Sequence, residues 1–376
     1  MREGGTRHPA RPRAVPGPSP GRRPIPAGWS VRGCPAHDGT VTLPRIRIDA
    51  EALRTRLAGE VFSRVAGTSG PQRREQIFEA PGERWFGEDR PIRRVHADAA
   101  MFVGGLRALL FQSLHPLAMA GVAEHSDYRE DPWGRLQRTS FFLAVTTFGP
   151  VSEAERAVDR VRGVHRRVRG VAADGRPYSA GDPHLLRWVH LAEIDSFLAA
   201  HQRYGAAPLS PSECDDYIAD ASLIASRLGV PDPPRTRPEL ADQLAAFRPE
   251  LRGTPQARGA ARYLLLRAPL PLAARVPYSA LAAAAVGLMP AWTRWPLRLP
   301  YLPATEATWG RIAGHGVVSS IRWATAPRAS ASDRATDPAA VPAADPADAP
   351  EGAGAPPSLT RLPTRPAAGA HAPGRA

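Results

Sequence analysis

The chain contains no lysine; all 49 of its basic residues are arginine. That absence excludes reactions needing an amine at a fixed place, because a Walker A phosphate clamp, a Schiff base and the strand lysine of a kinase all use an ammonium group that arginine does not imitate. Cysteine is nearly absent as well. Cys34 and Cys214 are too few for a four-ligand zinc site or a disulfide framework, which leaves them as inert thiols of a reducing compartment. Long apolar runs are also missing. The most apolar window, Tyr278 to Trp292, falls short of the roughly 20 residues a spanning helix needs, so it reads as a buried or interfacial helix. No apolar signal-peptide core lies near the N-terminus, and Arg22-Arg23 is followed by PIPAGWSVRG rather than a hydrophobic stretch, so the expected location is cytoplasmic.

A formal charge of +13 and a pI near 10.9 would by themselves suggest a nucleic-acid or anionic-membrane partner. Alanine, glycine and proline are abundant beside the arginine, however, and G/C-rich coding produces all of these together. No specific nucleic-acid partner is therefore expected, and a basic surface protein stands as an alternative reading.

Residues 1–43 form a Pro/Arg/Gly-rich arm with seven arginines against Glu3 and Asp38. It has too little apolar surface to offset its ordering entropy, so it is expected to be disordered. Residues 326–376 are an Ala/Pro-rich tail with five arginines and five acids, also expected to be disordered. Between them, residues 44–325 are long enough for one large domain. Segments such as EALRTRLAGEVFSRVAG, MFVGGLRALLFQSLHPLAMAGVA, VSEAERAVDRVRGVHRRVRG and HLLRWVHLAEIDSFLAAHQRYG place apolar residues three and four apart. Ser210, with Glu213 three residues on, reads as a capping box, while Gly170, Gly205 and Gly229 sit where helices should stop. Long alternating strands are absent. The class is all-α: a single large helical domain between two tails.

The stretch RVRGVHRRVRG, Arg160 to Gly170, reads either as a basic arm for phosphates or as a packed helix. On a helix, Val158, Val161, Val164, His165 and Val168 share one side and the arginines cover the rest. A phosphate-binding arm has no need of a valine stripe; a packed helix does. His165 is then either a hydrogen-bonded core histidine or a ligand to a metal or haem iron. Flanking arginines, Arg169 among them, could pair with haem propionates. In EDPWGRLQRTSFF, Arg135 and Thr139 lie one turn apart with Arg138 beside them and an apolar wall, Phe141 to Leu143, directly after. Such a guanidinium and hydroxyl could bind a propionate or donate to dioxygen on the distal side. On the helix that follows, His190, Ile194, Phe197 and His201 share a face, and Asp195 could orient an imidazole from another helix. His190 is the second candidate iron ligand, while His115 and His125 have weaker claims. The chain has no H-E-x-x-H, no Glu-x-x-His, no G-x-S-x-G and no G-x-G-x-x-G after a strand, which removes the usual patterns for zinc hydrolysis, di-iron chemistry, serine hydrolysis and dinucleotide redox.

The run HPLAMAGVAEHSDYREDPWGRLQRTSFF, then VHRRVRG, then LLRWVHLAEIDSF, in that order, resembles the rubber oxygenase catalytic domain, the family of the latex-clearing proteins and the ER-bound oxygenase MpaB. The likeness covers roughly residues 85–325. It implies an all-helical, globin-like core holding one haem b, with O₂ as co-substrate for oxidative cleavage of a C=C bond in an apolar, isoprenoid-like substrate. It also implies His165 as the proximal iron ligand, with Arg135, Arg138 and Thr139 on the distal side. Arg138 departs from the lysine of the latex-clearing proteins, and arginine cannot deprotonate. The Tat-type export signal of secreted rubber oxygenases is missing, so rubber itself is a poor substrate. A carboxylate near the substrate is expected to serve as base, with Glu124, Asp127 and Glu130 in the right neighbourhood. A non-catalytic helical binding or scaffold protein of the same fold is the main alternative. The apolar stretch from Pro269 to Pro303, with Trp292, Trp295 and Arg298, leaves room for peripheral membrane contact.

Overall fold

Proline sets where the helices begin. Pro91, Pro116, Pro132, Pro183, Pro211 and Pro255 each occupy the first position of a helix, where a missing N–H costs nothing because it would have had no partner in the helix. Side-chain caps add to this: Asp131 accepts from Gly134 N, Asp182 from His184 N and Thr254 from Ala257 N. Ser210 and Glu213 close the expected capping box, and Gly229 ends that helix in the left-handed conformation at φ 103°.

The computed structural model describes residues 50–326 apart from Thr68. The arm expected over 1–43 and all but the first residue of the expected tail lie outside the described residues. In chain order the helices are α1 Ala50–Ala66, α2 Gly70–Arg74, α3 Pro91–Ala97, α4 Met101–Gln112, α5 Pro116–His125, α6 Pro132–Phe148 and α7 Val151–Arg167. A hairpin, β1 Arg169–Val171 and β2 Pro177–Ser179, leads into α8 Pro183–Tyr204, α9 Pro211–Leu228 and α10 Arg237–Phe247. A 3₁₀ turn, Arg248–Glu250, precedes α11 Pro255–Leu266, α12 Leu272–Gly287, α13 Ala291–Leu297, α14 Pro303–Thr305 and α15 Arg311–Thr325. The fold is all-α.

Two segments differ from the periodicity reading. The apolar run after Met101 is two helices, not one: Pro116 cannot donate to the preceding turn, and His115 before it takes extended backbone at φ −84°, ψ 116°. The arginine-rich helix α7 stops at Arg167 rather than near Gly170. Asp174-Gly175 supplies a turn, with Gly175 at φ 83°, and pairs Arg169–Val171 antiparallel with Pro177–Ser179.

The most extensive packing joins α4 to α8. Gly104 permits it: a Cβ there would stand 2.8 Å from Phe197 Cδ1, 3.1 Å from Phe197 Cα and 3.2 Å from the Ser196 carbonyl oxygen. Beside it the buried Arg107 donates to Ser196 Oγ and Asp195 Oδ2, both at 2.7 Å, and to the Leu288 carbonyl at 3.0 Å. Trp188, Phe111, Leu191 and Ile218 fill the main core around this joint. α8 also packs on α3, α9 and α10, while α6 and α7 pack on each other and reach α8's side through α3 and α9. Among the described residues, α8 makes no more than marginal contact with α6 or α7. Beside this joint, α12 and α13 bend by 118°. The buried Arg294 holds that bend by donating to the carbonyls of Gly287, Met289 and Pro300 and to Glu306.

Gly104→Ala should lower stability, because overpacking of about 1–3 kcal/mol exceeds the roughly 1 kcal/mol a helix gains from replacing glycine. Gly105→Ala, where a Cβ meets nothing within 4 Å, should raise it by about 0.5–1 kcal/mol. Denaturant unfolding of the two variants side by side checks the close approach.

Candidate functional site

His165 lies in the last turn of α7, half-buried, with Val158 buried and Val161 half-buried on the same side. Val164 does not join them; at 44% exposure it faces outward. The imidazole is unusual in its lack of partners. Its Nδ1 is buried without a hydrogen bond, and no hydrogen bond to Nε2 exists among the described residues. Burial lowers its pKa below the ordinary value, so the ring is neutral at physiological pH and both nitrogens have spare capacity.

His190 on α8 is in a similar state. Its Nε2 is buried without a partner, and burial pushes its pKa down to about 4. Ile194, Phe197 and His201, expected on its face, are buried. Asp195 does not orient an imidazole; the Arg107 guanidinium takes its carboxylate at 2.7 Å. One turn on from His190 stands Glu193, which burial raises to about 7. Its charge raises the pKa of the buried Tyr217 phenol on α9, after burial itself, and Tyr217 Oη also lacks a partner. Tyr217 meets His96 of α3 edge to face, with ring centroids 6.0 Å apart. His96 shares its Nδ1 with Thr147 Oγ1 at 2.8 Å, leaves Nε2 orphaned and is driven by burial to about 3. Sequence reasoning passed over Glu193, His96 and Tyr217. The available signal was Glu193 itself, an acid set among Leu191, Ala192 and Ile194 with no arginine one turn away on either side.

On α6, Arg135 is half-buried and donates to Ser126 Oγ at 2.6 Å. That uses one of its five N–H donors, and no carboxylate among the described residues pairs with it; burial lowers its pKa, with the Tyr128 phenol opposing that and Arg138 adding to it. Arg138 points outward, 62% exposed, onto Asp131 at 3.2 Å. Thr139 is exposed and its hydroxyl donates to the Arg135 carbonyl at 3.1 Å. Arg169 is exposed beyond the helix end, with Nε on the Arg166 carbonyl. Of the carboxylates near α5, Glu124 accepts a hydrogen bond from Tyr178 Oη, which also meets His125 Nε2 at 3.1 Å. Burial and then Glu124 push Tyr178 up to about 12.

This arrangement, a neutral imidazole on α7 and a cation on α6 without an anion, both on helices set off from α8, coincides with the extent of a known domain. Residues 93–323 match the model of the ER-bound oxygenase mpaB/B'/rubber oxygenase catalytic domain. The chain belongs to this family. The matched region is thus a catalytic domain of an oxygenase family. Over 104 residues the chain is 36% identical to uncharacterized proteins of Mycobacterium bovis and Mycobacterium tuberculosis, a stretch that is 27% of this chain and 39% of each relative. It thus spans about two fifths of the length of the curated relatives it matches. No solved structure matches. Within this oxygenase-family domain, no single helix among the described residues is long and apolar enough to cross a membrane, though the bent pair α12–α13 meets that test jointly.

The buried titratable groups give opposite pH slopes. His96 and His190, depressed to about 3 and about 4, contribute stability above their ordinary value of 6.5 that is lost as pH falls below it. Glu193, raised from 4.5 to about 7, contributes stability at low pH that is lost as pH rises from 4.5 towards 7. Glu193→Gln should abolish that second loss, worth about 1–3 kcal/mol, in unfolding curves taken across the range. An unchanged slope would show that Glu193 is not held protonated.

Proposed function

We propose that this protein is a haem b-dependent oxygenase that cleaves a C=C bond in an apolar, isoprenoid-like substrate. One alkene and one O₂ would give two carbonyl products, which balances without a further reductant. The observation that carries this reading is His165: a neutral imidazole with a sealed, unpartnered Nδ1 and a free Nε2. Leaving the buried Nδ1 without a bond costs about 1–3 kcal/mol, a cost that coordination of iron at that nitrogen would remove. Arg135 supports it as a half-buried cation whose only hydrogen bond among the described residues is to Ser126, suited to a propionate.

A bound haem would supply the redox and dioxygen chemistry. His165 would hold it from the α7 side, with His190 the other imidazole available. Arg135 would orient it by charge; Arg169, on the surface, would reach only a propionate at the rim. Because Thr139 spends its hydroxyl on its own helix and Arg138 turns outward onto Asp131, hydrogen-bond donation to dioxygen would fall to the remaining N–H groups of Arg135. Phe141, Phe142 and Leu143, all half-buried on α6, would keep water from the alkene. Glu193, raised by burial to about 7, is better suited by its chemistry to exchange a proton near neutrality than the exposed Glu124.

Purified protein supplied with haem should show a Soret band and one iron per chain. His165→Ala should abolish the band or weaken it strongly, while Arg138→Ala should leave it in place. A wild-type protein with no Soret band would overturn the haem reading and favour a helical binding protein.

Peripheral membrane contact is a second reading with an observation of its own. Leu266, Leu272, Val276, Trp309 and Ile312 are all well exposed, and Trp295 is 90% exposed, in the segment from α11 to α15. Trp295→Glu with Ile312→Glu should cut co-sedimentation with anionic phospholipid vesicles severalfold and leave the Soret band unchanged.

A further inference from the structure

A second cluster of metal-ligating side chains lies apart from His165 and His190. We propose that His115, His184 and Glu250 form a site for one divalent transition ion of the zinc class. Glu250 Oε2 is 2.9 Å from His184 Nε2 and 3.3 Å from His115 Nε2, and one donor atom from each residue falls within 4.8 Å of the others. Metal–ligand bonds of roughly 2.0–2.2 Å in tetrahedral geometry place neighbouring donors about 3.3–3.6 Å apart, close to this spacing before any ion draws the groups together. Two imidazoles and one carboxylate select zinc and its neighbours over magnesium or calcium, which prefer all-oxygen ligands. His184 is half exposed, so water has access to the remaining coordination positions.

Each ligand is held by its own backbone. His115 caps α5 immediately before Pro116, His184 is the second residue of α8 and is capped by Asp182, and Glu250 follows Pro249 in the 3₁₀ turn. Arg252 N donates to the Leu114 carbonyl at 2.7 Å, which fastens the Glu250 segment to the His115 segment. Phe247 stacks on His184 with centroids 4.5 Å apart, and Trp188 backs His115. The nearby Arg176 is engaged by Asp174 at 2.8 Å, which moderates its repulsion of a cation. His115 is buried. Ligation through Nε2 moves its N–H to Nδ1 and gives up the long 3.4 Å bond from Ala118 N. The ion would then tie together three segments far apart in sequence: the α4–α5 junction, the start of α8 and the link from α10 to α11.

This proposal does not depend on the haem reading. The full chain, free of any histidine tag and stripped with chelator, is titrated with Zn²⁺ against a chromophoric competitor and separately with Co²⁺. We expect one Zn²⁺ per chain, the intense visible bands of low-coordinate Co²⁺ and a higher thermal midpoint with Zn²⁺ present. His184→Ala and Glu250→Gln, at exposed or half-exposed positions, should each weaken binding at least about tenfold and remove the thermal shift. His165→Ala should bind Zn²⁺ like the wild type. Substoichiometric binding by the wild type, or equal affinity in His184→Ala and Glu250→Gln, would overturn the site whatever the Soret band shows.

Discussion

The close approach of α4 to α8 at Gly104 is the constraint on which the rest of the fold depends. With no side chain at that point, Phe197 and the Ser196 carbonyl sit against the α4 backbone, and Arg107 is drawn in far enough to bind Asp195 and Ser196 and reach the Leu288 carbonyl. A buried cation with every neighbour matched locks α8 in rotation as well as position. That rotation decides which residues of α8 face the core: Trp188, Leu191 and Phe197 are buried, while His190 keeps a buried Nε2 without a hydrogen-bond partner.

Against this rigid joint, α6 and α7 form a pair that reaches α8's side mainly through α3 and α9. Buried polar atoms without a partner stand on the elements around this joint: His165 on α7, Arg187, His190 and His201 on α8, His96 on α3 and Tyr217 on α9. Folded proteins pair nearly all buried polar atoms, so each of these groups has unspent hydrogen-bonding capacity. Among the described residues Arg135 has no carboxylate partner, whereas the buried Arg107 and Arg294 both have one.

The substitution of arginine for lysine throughout has a structural consequence. Arg107, Arg294 and Arg84 each gather several carbonyl or carboxylate oxygens through one planar head, something a point-charged ammonium does poorly. These three guanidinium groups fix bends and helix contacts rather than facing an anionic polymer.

The sequence by itself determined the helical class, the starts of the helices and the family, because proline, capping residues and three-to-four spacing act within a few residues of where they stand. It also marked His165, His190 and Arg135, since a histidine or arginine beside an apolar stripe is visible in any helical projection. Tertiary structure alone decided which of the marked groups lack partners, that Val164 and Arg138 turn outward, that Asp195 serves Arg107, and that burial raises the Glu193 carboxyl to about 7. It alone brought His115, His184 and Glu250 together across 135 positions of chain. The reason is physical: desolvation and hydrogen-bond satisfaction depend on what arrives from other helices, and no local pattern in the sequence records that.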